Sequence, residues 1–121
     1  MDKCIVVEDD AFWLSEITAV LAQVGVQTLP AVDGAEALAL ARAHPDASMI
    51  LDVILPEIDG IKVLLELKSI APRMPVLVVT AGGRLGAAYY MKLAASFGAA
   101  AQLAKPFTAE QLREAYVAVT Q

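Results

Sequence analysis

The chain has 121 residues, a formal net charge of −5 and hydrophobic side chains at 58% of its positions. That length suits one domain with a core of its own, so we expect a single domain over residues 1–121. No uncharged run is long enough to span a membrane, and the acidic balance argues against direct binding to nucleic acid.

Short apolar runs alternate with segments of helical periodicity along the chain. The predicted strands are residues 4–7, 26–29, 48–51, 76–79 and 99–104. The predicted helices are residues 11–24, 34–44, 60–70, 85–97 and 109–121. Two capping-box patterns should mark the beginnings of helices. Asp33 stands three residues before Glu36 at the second helix, and Thr108 stands three residues before Gln111 at the fifth.

Continuous apolar strands separated by helices indicate a parallel sheet covered on both faces. A closed eightfold barrel needs about 250 residues, which this chain does not have. The predicted fold class is therefore α/β, a doubly wound sheet of five parallel strands. The flavodoxin-like order 2-1-3-4-5 is the expected topology.

In such a sheet the functional site lies at the carboxyl ends of the strands, where the strand order reverses. Polar residues that follow the predicted strands should therefore converge on one rim. They are Glu8, Asp9 and Asp10 after the first strand, Asp52 after the third, Thr80 after the fourth and Lys105 after the fifth. We interpret Asp10 as a helix N-cap and Trp13 as a packing residue.

This group of side chains indicates phosphoryl chemistry assisted by a hard cation. Clustered carboxylates suit Mg²⁺, whereas the only histidine and the only cysteine lie elsewhere in the pattern, which disfavours zinc. The single cysteine also excludes a disulfide framework and favours the cytoplasm. An ionised Asp52 could attack phosphorus directly, with Lys105 neutralising phosphoryl oxygens and Thr80 donating a hydrogen bond.

Four segments, in order and at the expected strand ends, resemble the signatures of the receiver domains of response regulators in two-component signalling. They are residues 6–10, 46–60, 78–81 and 103–107. The second segment reads DASMILDVILPEIDG, with Asp52 in the acceptor position, Pro56 four residues later and Gly60 eight residues later. The resemblance spans essentially the whole chain.

The resemblance implies a phosphorylation switch rather than a conventional enzyme. Asp52 would accept a phosphoryl group from a sensor histidine kinase or a histidine phosphotransfer protein. Asp9, Asp52 and the backbone carbonyl of Ile54 would bind Mg²⁺, with Glu8 acting through water. The peptide bond before Pro106 is expected to be cis.

Two departures from the family pattern bear on the mechanism. Gln102 stands where the family usually has a Tyr or Phe that moves on activation, so we hypothesise that Gly82 and Gly83 form a mobile loop instead. Ile54 is apolar and cannot position an attacking water, so we expect slow loss of the phosphoryl group.

The resemblance also implies a protein-binding face on the fourth helix, fifth strand and fifth helix. On this chain that face would carry Tyr89, Tyr90, Lys92, Gln102 and Tyr116. We expect a stand-alone regulator. Gln102 keeps open an alternative, a phosphorylation-independent interaction module with the same fold. An aspartate-nucleophile phosphatase is disfavoured, because Ile54 occupies the place of its second acid.

Overall fold

The computed structural model describes residues 2–54, 60–81 and 86–121, and within these ranges five strands alternate with five helices. The strands are β1 (Lys3–Val7), β2 (Gln27–Ala31), β3 (Ser48–Asp52), β4 (Val76–Thr80) and β5 (Ala101–Ala104). The helices are α1 (Ala11–Gln23), α2 (Gly34–Ala43), α3 (Gly60–Ile70), α4 (Ala87–Ser96) and α5 (Ala109–Thr120). The predicted order of elements is confirmed, with element ends that differ by a few residues. No helix in the described ranges is both long and apolar enough to cross a membrane.

The five strands form one parallel sheet in the order β2-β1-β3-β4-β5, as predicted. The order reverses between β1 and β3, which are neighbours with Val7 opposite Leu51. This register places the residues that follow, Glu8 and Asp52, at the same edge of the sheet. β2 continues beyond its predicted end through Pro30, which lacks an N–H group and is tolerated because β2 is an edge strand.

Two apolar layers cover the sheet, because alternate residues of each strand face opposite sides. One layer joins side chains of β1, β3 and β4 to α2, α3 and α4. The other joins the opposite faces of the same strands to α1 and α5. The high apolar content of the chain is therefore explained by strands that are buried on both sides.

Side chains fix the beginnings of three helices. Asp10 accepts hydrogen bonds from the N–H groups of Phe12 and Trp13, which confirms that it is the N-cap of α1. Thr108 and Gln111 form a complete capping box at α5, as predicted. At α2 the box is altered: Asp33 accepts from the Glu36 N–H, but the Glu36 carboxylate accepts from Val32.

Helix α3 begins in close contact with the end of β3. The Gly60 N–H donates to the Val53 carbonyl at 2.8 Å. A Cβ atom at this glycine would lie 2.3 Å from the Val53 Cα, so only glycine fits without moving the backbone. Two sequence-based expectations, Pro56 in the acceptor segment and the loop at Gly82 and Gly83, lie outside the described residues.

Candidate functional site

Three polar side chains are buried where the central strands end. Glu8 directly follows β1, while Asp52 and Thr80 are the last residues of β3 and β4. Their exposed fractions are 1%, 6% and 0%. Because strands that end at one edge bring these residues together, the predicted convergence of Glu8, Asp52 and Thr80 is present in the fold.

Lys105 links two of these buried residues. It follows β5, and its backbone N–H donates to the Thr80 carbonyl at 2.9 Å. Its Nζ lies 2.5 Å from Oε1 of Glu8 and 3.0 Å from Oδ2 of Asp52, with the lysine side chain only 7% exposed. The peptide bond to Pro106 is cis, as predicted. One ammonium group therefore joins two carboxylates that lie far apart in sequence.

The remaining carboxylate oxygens have defined surroundings. Oδ1 of Asp52 accepts from the Ile54 N–H at 2.9 Å, and Oε2 of Glu8 accepts from the Asp10 N–H at 3.1 Å. Asp9 is exposed, and one oxygen each from Glu8, Asp9 and Asp52 lies within 4.8 Å of the others. These three carboxylates form a cluster that could hold a metal ion.

The charges in this cluster do not balance among the residues that the structure describes. Three carboxylates, those of Glu8, Asp9 and Asp52, lie together with one ammonium group, that of Lys105, which pairs with Glu8 and Asp52. A donor set made only of oxygens, with negative charge in excess, fits a hard divalent cation.

Burial sets the proton affinities of the buried pair. Loss of solvent raises the pKa of the Glu8 carboxyl, and the hydrogen bonds from Lys105 and Asp10 offset only part of that rise. Burial lowers the pKa of Lys105, but its hydrogen bond to Glu8 and the charge of Asp52 outweigh this, so the pKa lies above its ordinary value. Lys105 is therefore a cation at neutral pH.

An aromatic ring beside Lys105 was not recognised from the sequence as part of the site. The Nζ atom lies 5.5 Å from the ring centroid of Trp13, in the first turn of α1. Trp13 also packs against Phe107 at a centroid distance of 4.6 Å. The sequence offered two signals. Trp13 stands one helical turn after Asp9 and Asp10, and Phe107 stands two positions after Lys105.

One residue of the predicted partner-binding face, Tyr116, is buried, so its assignment to that face is wrong. Tyr116 is only 3% exposed, and its hydroxyl shares a 2.7 Å hydrogen bond with Ser48. It lies four residues after Leu112, so both side chains fall on the stripe of α5 that faces the sheet. The other residues of the predicted face are exposed or partly buried: Tyr89, Tyr90, Lys92 and Gln102.

Comparison with known sequences identifies the class of protein to which this fold, with its rim of acids and a lysine, belongs. Residues 4–117 match the family described as response regulator receiver domain. The chain is 30% identical to sporulation initiation phosphotransferase F of Bacillus subtilis, over 95% of this chain and 91% of that protein. It is 34% identical to response regulator MprA of Mycobacterium leprae, over 91% of this chain but 47% of that protein. The chain belongs to the family of response regulator receiver domains.

Solved structures agree with this assignment. A response regulator receiver domain protein from Clostridium thermocellum superposes with a TM-score of 0.86 at 30% identity, covering 98% of this chain and 94% of that one. The beryllofluoride-activated NtrC4 receiver domain gives a TM-score of 0.87 at 26% identity, covering 98% and 96%. CheY4 of Vibrio cholerae gives 0.85 at 26% identity, covering 98% of each chain. Domains of this family are signalling domains rather than classical enzymes.

Proposed function

We propose that this protein is a phosphorylation switch in which Asp52 accepts a phosphoryl group from a phosphohistidine donor. The observation that carries the proposal is the buried position of Asp52, with one carboxylate oxygen on Lys105 and two further carboxylates beside it. Burying an ionised carboxylate at the end of an apolar strand costs stability, so a carboxylate kept there is expected to have a use. Phosphoryl acceptance supplies that use.

Mg²⁺ is the proposed cofactor. Asp9, Asp52 and the backbone carbonyl of Ile54 would bind it, and Glu8 would act through water. When bound, the ion would neutralise charge on the phosphoryl oxygens during transfer. The acidic excess of the cluster supports this choice.

The chain's own groups divide the remaining work. A carboxylate oxygen of Asp52 forms the new bond to phosphorus, while the bond from phosphorus to the donor imidazole breaks. The electron pair of that bond stays on the imidazole, which leaves as a neutral ring because its other nitrogen already carries a proton. The Ile54 N–H holds Oδ1 of Asp52, which fixes the carboxylate plane. Lys105 neutralises charge on the phosphoryl oxygens, and Thr80 donates a hydrogen bond to one of them.

The direct test is to weigh the intact protein after incubation with acetyl phosphate and Mg²⁺. The wild type should gain one phosphoryl group, and Asp52→Ala should gain none. Asp46→Asn, at an exposed acid outside the cluster, is the matched control and should gain one group. A phosphoryl group retained in Asp52→Ala would contradict the assignment of the acceptor.

The second candidate is an interaction module that works without phosphorylation. Gln102 is the observation that favours it, since this partly buried residue of β5 replaces the usual switch aromatic. A wild-type protein that gains no mass from acetyl phosphate would favour this alternative.

The signal would pass to a protein partner rather than to nucleic acid, in the cytoplasm. The proposed face consists of the exposed and half-exposed residues Tyr89, Tyr90, Lys92 and Gln102 of α4 and β5. The donor would be a sensor histidine kinase or a histidine phosphotransfer protein. The relative from Bacillus subtilis, itself called a phosphotransferase, supports this place in a phosphorelay.

The acyl phosphate should persist once it is formed. Ile54 is apolar and partly buried against the core, so it cannot orient a water for attack on phosphorus. Ile54→Asn should lose its phosphoryl group faster than the wild type, as followed by mass after removal of the donor. Faster loss from the wild type would contradict this explanation.

A further inference from the structure

Lys105 has an aromatic neighbour in addition to its two carboxylates. Its Nζ lies 5.5 Å from the centroid of the Trp13 ring, within the range of a cation–π contact. The lysine side chain is 7% exposed, so little water competes for the ammonium. Such contacts are strongest when they are desolvated.

The surroundings of Trp13 hold its ring in place. Phe107 packs against it at 4.6 Å with the planes tilted by 42°, and Phe12 contacts it edge-on at 5.2 Å. The backbone N–H of Trp13 also donates to the Asp10 side chain, which fixes the first turn of α1 beside Asp10. The ring therefore links the beginning of α1 to the segment that carries Lys105.

The ring differs from the two carboxylates in what happens to it during the reaction. Phosphoryl transfer converts the Asp52 carboxylate to an acyl phosphate, so the negative charge that Lys105 faces moves from the carboxylate to the phosphoryl oxygens. The face of the indole keeps its negative potential throughout. It can therefore hold the ammonium near the rim before and after transfer.

We propose that Trp13 is a positioning residue that holds the Lys105 ammonium over the reacting carboxylate. This role rests on the proposed function of Asp52 as phosphoacceptor. Trp13 touches neither the donor nor phosphorus and acts only through Lys105.

The test compares initial rates of phosphorylation by saturating acetyl phosphate with Mg²⁺, since a small donor removes any contribution from docking of a partner. Trp13→Leu should be slower by about tenfold, because the ammonium is then no longer held in position over the reacting carboxylate. Trp13→Phe keeps a ring and should recover most of the rate. Phe97→Leu is the matched control: it removes the ring beside Lys68, outside this site, and should react at the wild-type rate.

A spectroscopic measurement separates positioning from general support of the fold. The NMR resonances of the Lys105 ε-methylene group should shift in Trp13→Leu, where the ring current is lost, and stay near wild type in Phe97→Leu. Circular dichroism establishes that each variant is folded, and Trp13→Met replaces Trp13→Leu if the latter does not fold. Unchanged ε-methylene resonances, or equal rates for the wild type and the ringless variant, would overturn the inference.

The outcome also distinguishes this inference from the proposed function. If the wild type gains a phosphoryl group and the ringless variant gains it equally fast, the role of Trp13 is refuted and the role of Asp52 stands. If the wild type gains none, the proposed function fails, and the role of Trp13 fails with it.

Discussion

Strands β1 and β3 carry a buried polar cluster at each end, and the two clusters differ in charge. At the amino end, Cys4 lies opposite Ser48 in the sheet register, and Tyr116 of α5 reaches Ser48. At the carboxyl end, Glu8 and Asp52 share Lys105. The same two strands therefore support a neutral cluster and an ionic one.

The neutral cluster is satisfied within the chain. The hydroxyls of Ser48 and Tyr116 share a hydrogen bond, and Ser48 also donates to the Lys3 carbonyl. Burial raises the pKa of the Cys4 thiol to about 12 and that of Tyr116 to about 12, so both stay uncharged at neutral pH. This cluster stabilises the fold, whereas the ionic cluster holds unbalanced charge and is the proposed site of phosphoryl chemistry.

The largest expected effect comes from removing the only ammonium of the ionic cluster among the described residues. Lys105→Met leaves Glu8 and Asp52 buried without their cation, and should lower the free energy of unfolding by about 3 kcal/mol. Urea unfolding at pH 7 measures it. Lys92→Met, on the exposed side of α4, is the control and should change little. Equal values for the two variants would show that the ion pairs contribute nothing.

In the neutral cluster, Tyr116→Phe removes one hydroxyl and leaves the ring in place. Ser48 then loses a buried partner, so the free energy of unfolding should fall by about 1.5 kcal/mol. Tyr89→Phe is the matched control, because the Tyr89 side chain is 47% exposed. Urea unfolding of both variants decides the matter, and an unchanged Tyr116→Phe would mean that this hydrogen bond is not stabilising.

Alkaline pH should lower the stability that the neutral cluster contributes, because the unfolded chain loses the Cys4 proton more easily than the folded chain. Burial raises the pKa of this thiol from 9.0 to about 12, so above pH 9 the unfolded chain releases a proton that the folded chain keeps. Stability is therefore full below pH 9 and falls as pH rises, by about 1 kcal/mol between pH 9 and 10. Cys4→Ala should flatten the profile of unfolding free energy over that interval. A slope that persists in Cys4→Ala would assign the effect to another group.

The smallest effect should have the opposite sign. Asp52→Asn keeps the acceptor for the Ile54 N–H but removes one charge from an acid-rich cluster. We expect the free energy of unfolding to rise by about 0.5 kcal/mol. Denaturant titration against Asp46→Asn, an exposed acid, makes the comparison. A loss of stability in Asp52→Asn would mean that the ionic cluster, like the neutral one, stabilises the fold.

The sequence was sufficient to predict the strand order and the convergence of Glu8, Asp52, Thr80 and Lys105. Both follow from backbone rules, because parallel strands end at one edge and polar residues follow each apolar run. The side-chain geometry was not predictable in this way. That Lys105 would contact both Glu8 and Asp52 depends on rotamers fixed by packing between elements remote in sequence.

Tyr116 and Trp13 show two different reasons for incomplete prediction. Tyr116 was assigned to a surface by resemblance, although its spacing from Leu112 indicated the buried stripe of α5. Trp13 was interpreted as a packing residue, and it does pack against Phe107. Its approach to Lys105 requires α1 and the end of β5 to be neighbours, which no local pattern encodes.

Trp13 is also the only tryptophan in the chain. Its indole lies 5.5 Å from the Lys105 nitrogen, so its fluorescence is sensitive to charge arriving at or leaving this rim. The protein thus contains its own optical probe at the place where its chemistry is proposed. Stopped-flow emission can time each event there in the unmodified chain, with no dye, label or engineered reporter.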